Sequence, residues 1–239
     1  MKKIPVLEIF GPTIQGEGMV IGQKTMFVRT GGCDYRCSWC DSAFTWDGSQ
    51  KAAVMDAASI VEKLYEKGTN LFSHVTISGG NPAIHPGIHS LIEELRNQGI
   101  QTAVETQGSI WAEWMIDIDE VTISPKPPSS LMKTDWEKLD YYINRLERRP
   151  NKAFSLKIVI FNKEDLEYAA EVHTRYPNAP MFLQVGNDDL TEKEAGMLRD
   201  HLLERYEWLI SETMDDARWN DVKILPQLHT LLWGNKQGV

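Results

Sequence analysis

Cysteine is scarce in this chain: three residues in 239, none of them outside positions 33–40. Without a distant partner, a disulfide framework is excluded, and a reducing compartment, the cytoplasm, is expected. Long apolar runs are also missing. No stretch approaches the ~20 residues of a membrane span, and the segment after Met1 turns charged and glycine-rich without the apolar run of a secretory signal. There is no dense run of Lys and Arg, and the net charge is −9. That sign repels phosphate backbones, so the expected partner is a small molecule, not nucleic acid. No repeat, low-complexity tract or linker divides the chain, and residues 1–239 read as one domain.

What is present is organised around residues 33–40, where Cys33, Cys37 and Cys40 lie. Three thiolates this close in sequence face a common centre only from a loop. Thiolate sulfur is a soft ligand, suited to iron–sulfur clusters and zinc. Structural zinc takes four protein ligands, usually as two separated pairs, whereas here there is a single triplet. A cubane cluster held by three cysteines keeps one iron open to bind and reduce an added ligand. The competing readings are a zinc knuckle that borrows a histidine, or three buried apolar cysteines. The polar Asp34 and Arg36 within the loop suit burial poorly.

Around this loop the patterning predicts strands over 6–10, 25–30, 74–78, 100–106, 120–124, 153–161 and 179–185. Helices are predicted over 56–67, 87–98, 109–115, 135–148, 163–176 and 192–209. This alternation implies an α/β fold, a parallel sheet whose right-handed crossovers wind it toward a partial barrel. The candidate residues follow strands: the cysteines, Gly79 and Gly80, Glu105 to Gln107, Ser124 to Lys126, and Gln184 to Asp188. Carboxyl ends of strands are where such folds place their sites. Residues 11–18 are too glycine-rich for a helix interior. They read either as a plain turn or as backbone brought close to a ligand, with Gln15 and Glu17 as directed polar groups. Arg29 reads as a solvated charge or a carboxylate fork. The six histidines are scattered, and His85 and His89 read as surface residues.

The spacing Cys-x3-Cys-x2-Cys resembles the radical S-adenosylmethionine (SAM) superfamily. The resemblance implies that Cys33, Cys37 and Cys40 hold a [4Fe–4S] cluster whose open iron chelates SAM. One electron then cleaves the sulfonium to a 5′-deoxyadenosyl radical. Trp39 falls where the family places an aromatic beside the adenine. Residues 78–82 look like the family's Gly-Gly-Glu-Pro element, which holds the methionyl amino group, but Asn81 stands in place of the acid. A carboxamide oxygen can still accept from an ammonium, without charge assistance, so the contact is expected to be weaker or to come from the backbone only.

Residues 14–18, Arg29, Cys40 to Ser42, Ser124 to Lys126 and the tail 228–239 together resemble the 7-carboxy-7-deazaguanine synthases, in their Bacillus-type form, over essentially the full length. That resemblance implies a partial (β/α)6-type barrel with an N-terminal strand extension and a C-terminal tail closing the site. It implies ring contraction of 6-carboxy-5,6,7,8-tetrahydropterin to 7-carboxy-7-deazaguanine with loss of ammonia, in queuosine and 7-deazapurine biosynthesis. SAM would be bound by Trp39, Cys40, Asp41, Gly80, Ser124, Pro125, Lys126, Gln184, Val185, Gly186, Asn187 and Asp188. The pterin would be bound by Ile14, Gln15, Gly16, Glu17, Arg29, Ser78 and the carboxylate of Val239, with magnesium on Ser42. A flavodoxin- or ferredoxin-type electron donor and a homodimer are implied likewise. The alternatives are a glycyl-radical activase acting on a protein partner and a non-catalytic iron–sulfur carrier.

Overall fold

The structure is a computed structural model, and it describes residues 2–150, 153–192 and 194–239. Among these described residues, nine strands form one sheet: β1 (Ile4–Ile14), β2 (Lys24–Thr30), β3 (Ala53–Met55), β4 (His74–Gly79), β5 (Gln101–Thr106), β6 (Glu120–Ile123), β7 (Ala153–Ile160), β8 (Met181–Val185) and β9 (Lys223–Leu225). Their order is β3-β1-β2-β4-β5-β6-β7-β8-β9. β1 pairs antiparallel with β2 and β3. From β2 onward every neighbour is parallel. The sheet does not close on itself, so the barrel is partial, with the expected strand extension at its N-terminal edge.

The crossovers are α1 (Ala57–Gly68), α2 (Ile88–Asn97), α3 (Trp136–Glu147) and α4 (Lys163–Arg175), followed by α5 (Ala195–Met214) and the short α6 (Leu228–Trp233). Their starts are written locally. Asp56 accepts from the Ser59 N–H, Asp135 from Lys138 and Asn162 from Asp165, each satisfying a first-turn donor that has no partner within the helix. Each helix buries one apolar stripe, such as Ile60, Val61 and Leu64 on α1.

The two-residue period of the strands assigns their faces. Met26, Val28, Val75, Ile77, Val104, Val121, Ile123, Leu156, Ile158, Ile160, Leu183 and Val185 join the helices in the apolar core. The alternate positions look the other way, into the barrel, and most are polar: Arg29, Thr76, Ser78, Glu105, Thr122, Ser124, Ser155, Lys157 and Gln184. A 3-10 turn, Gly18–Val20, packs into this inner side against β6, β7 and β8.

Three sequence-based expectations change. No helix covers 109–115; a 3-10 turn, Glu113–Ile116, takes its place. Gly108 has φ +78 and the Ser109 hydroxyl is bonded to Asp34, which leaves too few residues to repay helix nucleation. The first strand extends beyond residues 6–10 in both directions, because Gly11 and Pro12 are carried within a register shift of the β1–β2 pairing. β3, β9 and α6 have no counterpart among the predicted elements.

Candidate active site

A cavity of about 340 Å³ opens at the carboxyl ends of the strands, and all three cysteines line it. Their loop crosses the end of β4 at Gly80. A Cβ there would lie 2.1 Å from the Gly32 carbonyl oxygen, so only glycine admits the crossing. The far side of the loop is pinned to residues 129 and 130: Ser38 N–H donates to Ser130 O (3.1 Å), Ser38 Oγ to Ser129 O (2.7 Å), and the Trp39 indole to Ser129 Oγ (3.0 Å).

The cysteines are free thiols. Burial pushes all three up, Cys37 to about 11, so an electropositive centre is what would hold them as thiolates. Donors already point at two of the sulfurs. Cys33 Sγ accepts from the Tyr35 N–H (3.4 Å) and the Gln107 amide (3.7 Å), and Cys40 Sγ from the Trp46 indole (3.4 Å). Three soft sulfurs on one cavity, flanked by N–H donors and without a fourth sulfur, fit a cluster with one open iron.

The Asn81 side chain is engaged within the protein, which leaves the backbone as the alternative for a ligand contact at this position. Asn81 is fully buried. Its amide donates to Asp34 Oδ1 (2.8 Å) and Ser109 Oγ (3.3 Å), while its oxygen accepts from Thr106 Oγ1 (2.9 Å) and the Ala83 N–H (3.2 Å). Asp34 also accepts from Gln107 (2.6 Å) and Ser109 (2.6 Å). The carboxamide oxygen is therefore not free for a ligand ammonium. Asn81 latches the cysteine loop to β5, a task that requires donating and accepting at once, which a carboxylate cannot do.

The opposite wall is built on the chain after β1. Gly16 lies against α6, where a Cβ would fall 2.4 Å from His229 Nδ1, and its carbonyl accepts from the Leu228 N–H (3.0 Å). Glu17 is clasped by Lys157 and by the Gln227 amide (2.9 Å). Lys157, wholly buried on β7, also pairs with Glu105 at 2.6 Å. Burial alone would push the Glu17 carboxyl up. The Lys157 ammonium, His229 and the bonds from Lys157 and Gln227 outweigh burial and hold it well below the usual carboxylate range. Burial would likewise lower Lys157, but Glu105 and Glu17 outweigh it and hold the ammonium charged. Glu17, Asp41 and His229 bring one ligand atom each within 4.8 Å of one another.

Arg29 lines the cavity with its fork partly engaged: Nε donates to Glu8 (2.8 Å) and Nη1 to Ser42 Oγ (3.2 Å), and the guanidinium lies over the rings of Phe10 and Phe44. Ser42 in turn donates to Asp41 (3.0 Å). Ile14, Gln15 and Ser78 also line the cavity, and the Ser78 hydroxyl is buried without a partner.

The residues expected around SAM divide in two. Trp39, Asp41, Gly80, Lys126 and Asn187 face the cavity. Lys126 lies over the Trp39 ring at 5.7 Å and donates to Ser124 Oγ (3.1 Å). Ser124, Pro125, Gln184, Val185 and Gly186 are buried and do not line it. Asp188 points elsewhere, pairing with Arg205 (2.8 Å) and His201 (2.7 Å).

Val239 and residues 234–238 line the cavity mouth. Asn235 fixes them: it accepts from Asn187 (2.8 Å) and donates to Asp189 O and Glu192 O, both at 3.0 Å. Of the apolar tail residues, Leu231 and Trp233 are half-buried and Leu232 is exposed. His85 is not a surface residue either, since it is half-buried and its Nε2–H donates to Gly31 O at 2.7 Å. Sequence reasoning missed Lys157, Gln227 and His229. The one available signal was Lys157, a lone lysine within the apolar run of residues 153–161.

Comparison with known proteins agrees with this geometry. The Radical SAM superfamily model matches residues 27–174. The 7-carboxy-7-deazaguanine synthases of Bacillus cereus and Bacillus subtilis are each 58% identical over all of this chain, covering 100% and 99% of their own lengths. Among solved structures, that of QueE from Escherichia coli superposes with a TM-score of 0.64 over 95% of both chains at 21% identity, a likeness of fold. The chain thus belongs to the radical SAM superfamily and, within it, to the 7-carboxy-7-deazaguanine synthase family.

Proposed function

We propose that the protein contracts the ring of 6-carboxy-5,6,7,8-tetrahydropterin to 7-carboxy-7-deazaguanine, with loss of ammonia, on the route to queuosine and other 7-deazapurines. The observation that carries this reading is the meeting of the three cysteines and the Glu17–Lys157 wall on one cavity. About 340 Å³ under a tail suits a small molecule better than the polypeptide loop an activase must admit.

Cys33, Cys37 and Cys40 would hold the [4Fe–4S] cluster, which when bound supplies one-electron cleavage of SAM and so the radical for the substrate. Trp39, Lys126, Asn187 and the backbone at Gly80 would seat SAM, with Ser124, Pro125, Gln184, Val185 and Gly186 as the packed layer behind them. Glu17, kept ionised by Lys157, offers acceptors to the donor-rich edge of a pterin. Ile14, Gln15, Gly16 and Ser78 line the same wall. The Arg29 guanidinium is placed for a carbonyl or carboxylate, and the tail would bring Val239 to the substrate. Ser42 and Asp41 offer hard oxygens for Mg²⁺ to share with water and substrate.

The same reading includes a flavodoxin- or ferredoxin-type electron donor, a homodimer in the cytoplasm, and residues 1–239 acting as one domain. The last is supported by a single sheet running from Ile4 to Leu225; among the described residues, no helix is long and apolar enough to cross a membrane.

The test is an anaerobic assay of reconstituted protein with dithionite, SAM, Mg²⁺ and the pterin, read by mass spectrometry. Both 7-carboxy-7-deazaguanine and 5′-deoxyadenosine are expected, and both should disappear in Cys37→Ala. 5′-Deoxyadenosine alone would discard the substrate. Neither product, from protein holding its full iron, would discard the enzyme.

A further inference from the structure

Beyond the three ligand cysteines, the structure places a tryptophan where it can act on one of their sulfurs. The Trp46 indole Nε1–H donates to Cys40 Sγ at 3.4 Å. The ring is clamped from several sides. Its backbone N–H closes the 3-10 turn Ala43–Thr45 on Ala43 O at 2.9 Å, and the neighbouring Thr45 carbonyl accepts from the Gly32 N–H at 2.7 Å, which ties this turn to the root of the cysteine loop. Over the ring face lies the Arg36 guanidinium, 4.8 Å from its centre. Arg36 is itself fixed, since its Nη1 donates to Cys33 O (2.6 Å) and Tyr35 O (2.7 Å). A half-buried indole held this firmly is not incidental packing, because a hydrogen bond to sulfur is directional and a loosely placed ring would not keep it.

We propose that Trp46 is a positioning residue that sets the reduction potential of the cluster through its hydrogen bond to Cys40. The inference rests on the chain holding a cluster on its three cysteines. It does not depend on which substrate the cavity takes. The physical reason is charge. The reduced cluster carries one more electron than the oxidised one, and part of that charge resides on the ligand sulfurs. A donor N–H therefore stabilises the reduced form more than the oxidised form and raises the potential. Cys33 has donors of its own in the Tyr35 N–H and the Gln107 amide, but the Gln107 contact is longer, and that amide also serves Asp34 at 2.6 Å. Trp46 is the side chain whose indole donor has Cys40 as its bonded partner.

The test is an anaerobic redox titration of the reconstituted protein with dithionite, followed by electron paramagnetic resonance, for the unaltered chain and Trp46→Phe. Phenylalanine keeps an aromatic surface for Arg36 and removes only the donor. With iron content equal to the parent, the midpoint should move to more negative potential, by about a tenfold change in the oxidised-to-reduced ratio at fixed potential, which for one electron is ~59 mV. An unchanged midpoint at full iron content overturns the proposal. If Trp46→Phe fails to retain iron, the unaltered protein decides. Carrying ¹⁵N in its indoles, its reduced cluster should show a nitrogen coupling, since Trp39 directs its own N–H at Ser129. Absence of that coupling also overturns it. Neither readout requires turnover, so failure of the ring-contraction reading would leave both outcomes intact and distinguishable.

Discussion

The two halves of the cavity are held together in different ways. The cysteine half is a web of neutral and singly charged hydrogen bonds, centred on Asp34 and Asn81. The half facing it is held by buried charge, with one ammonium, Lys157, between the carboxylates of Glu17 and Glu105. In the web every member has several partners, so each bond can be lost at modest cost. In the charge cluster one ammonium is shared by two carboxylates, and its loss strands both. A metal-binding loop must relax around an incoming cluster, whereas a wall that orients a ligand must not, and the two bonding styles suit those demands.

The sharpest way to break this contrast is Lys157→Met. It leaves two carboxylates without their counter-charge, and removing one partner of a buried ion pair costs ~3–5 kcal/mol. Denaturant unfolding should show a loss of that size, larger than for any single substitution in the web. A loss below ~1 kcal/mol would mean that water reaches the cluster and the contrast is false.

Next in size is Asn81→Glu, which restores the family's usual acid. The new carboxylate would face Asp34 and could not donate to it. A destabilisation of ~1–3 kcal/mol is expected from the stranded groups, with weaker iron retention and no gain in SAM affinity by calorimetry. Tighter SAM binding would show that residue 81 still serves the ligand.

The charged half also has a pH signature. The folded Glu17 carboxyl lies below its ordinary value of 4.5, so its stabilisation is fully present above that pH and is lost as pH falls toward the folded value. Glu17→Gln should therefore flatten the acid limb of the stability–pH curve below pH 4.5. An unchanged limb would assign acid unfolding to other carboxylates.

The smallest effect belongs to the tail. Asn235→Ala removes three hydrogen bonds, but the side chain is exposed and water replaces much of what is lost. A several-fold rise in the KM for the pterin is expected with kcat nearly unchanged, and residues appended after Val239 should act in the same direction. Unaltered kinetics in both would remove the tail from the site.

The contrast also explains what could be read from the sequence. The cysteine half was legible because its ligands lie within eight consecutive residues, and their spacing alone defines the chemistry. The helices and parallel strands were legible through their periods. The charged half was not, because Glu17 meets Lys157 across 140 residues and Gln227 across 210. Apart from Lys157, a lone lysine in an apolar run, nothing local marks such partners. His229 was hidden in the same way, on a helix of six residues that α5 and the Gly16 backbone define more than its own sequence does. Asn81 was legible only in part. Its position was right, but its side chain turned inward to Asp34, a choice set by the Thr106 and Ser109 hydroxyls and not by the motif.

β3 and β9, the two outermost strands, are three residues each. An unpaired strand edge is a template on which another chain can add a strand, and its reach depends on its length. Edges this short offer too few backbone groups to recruit one.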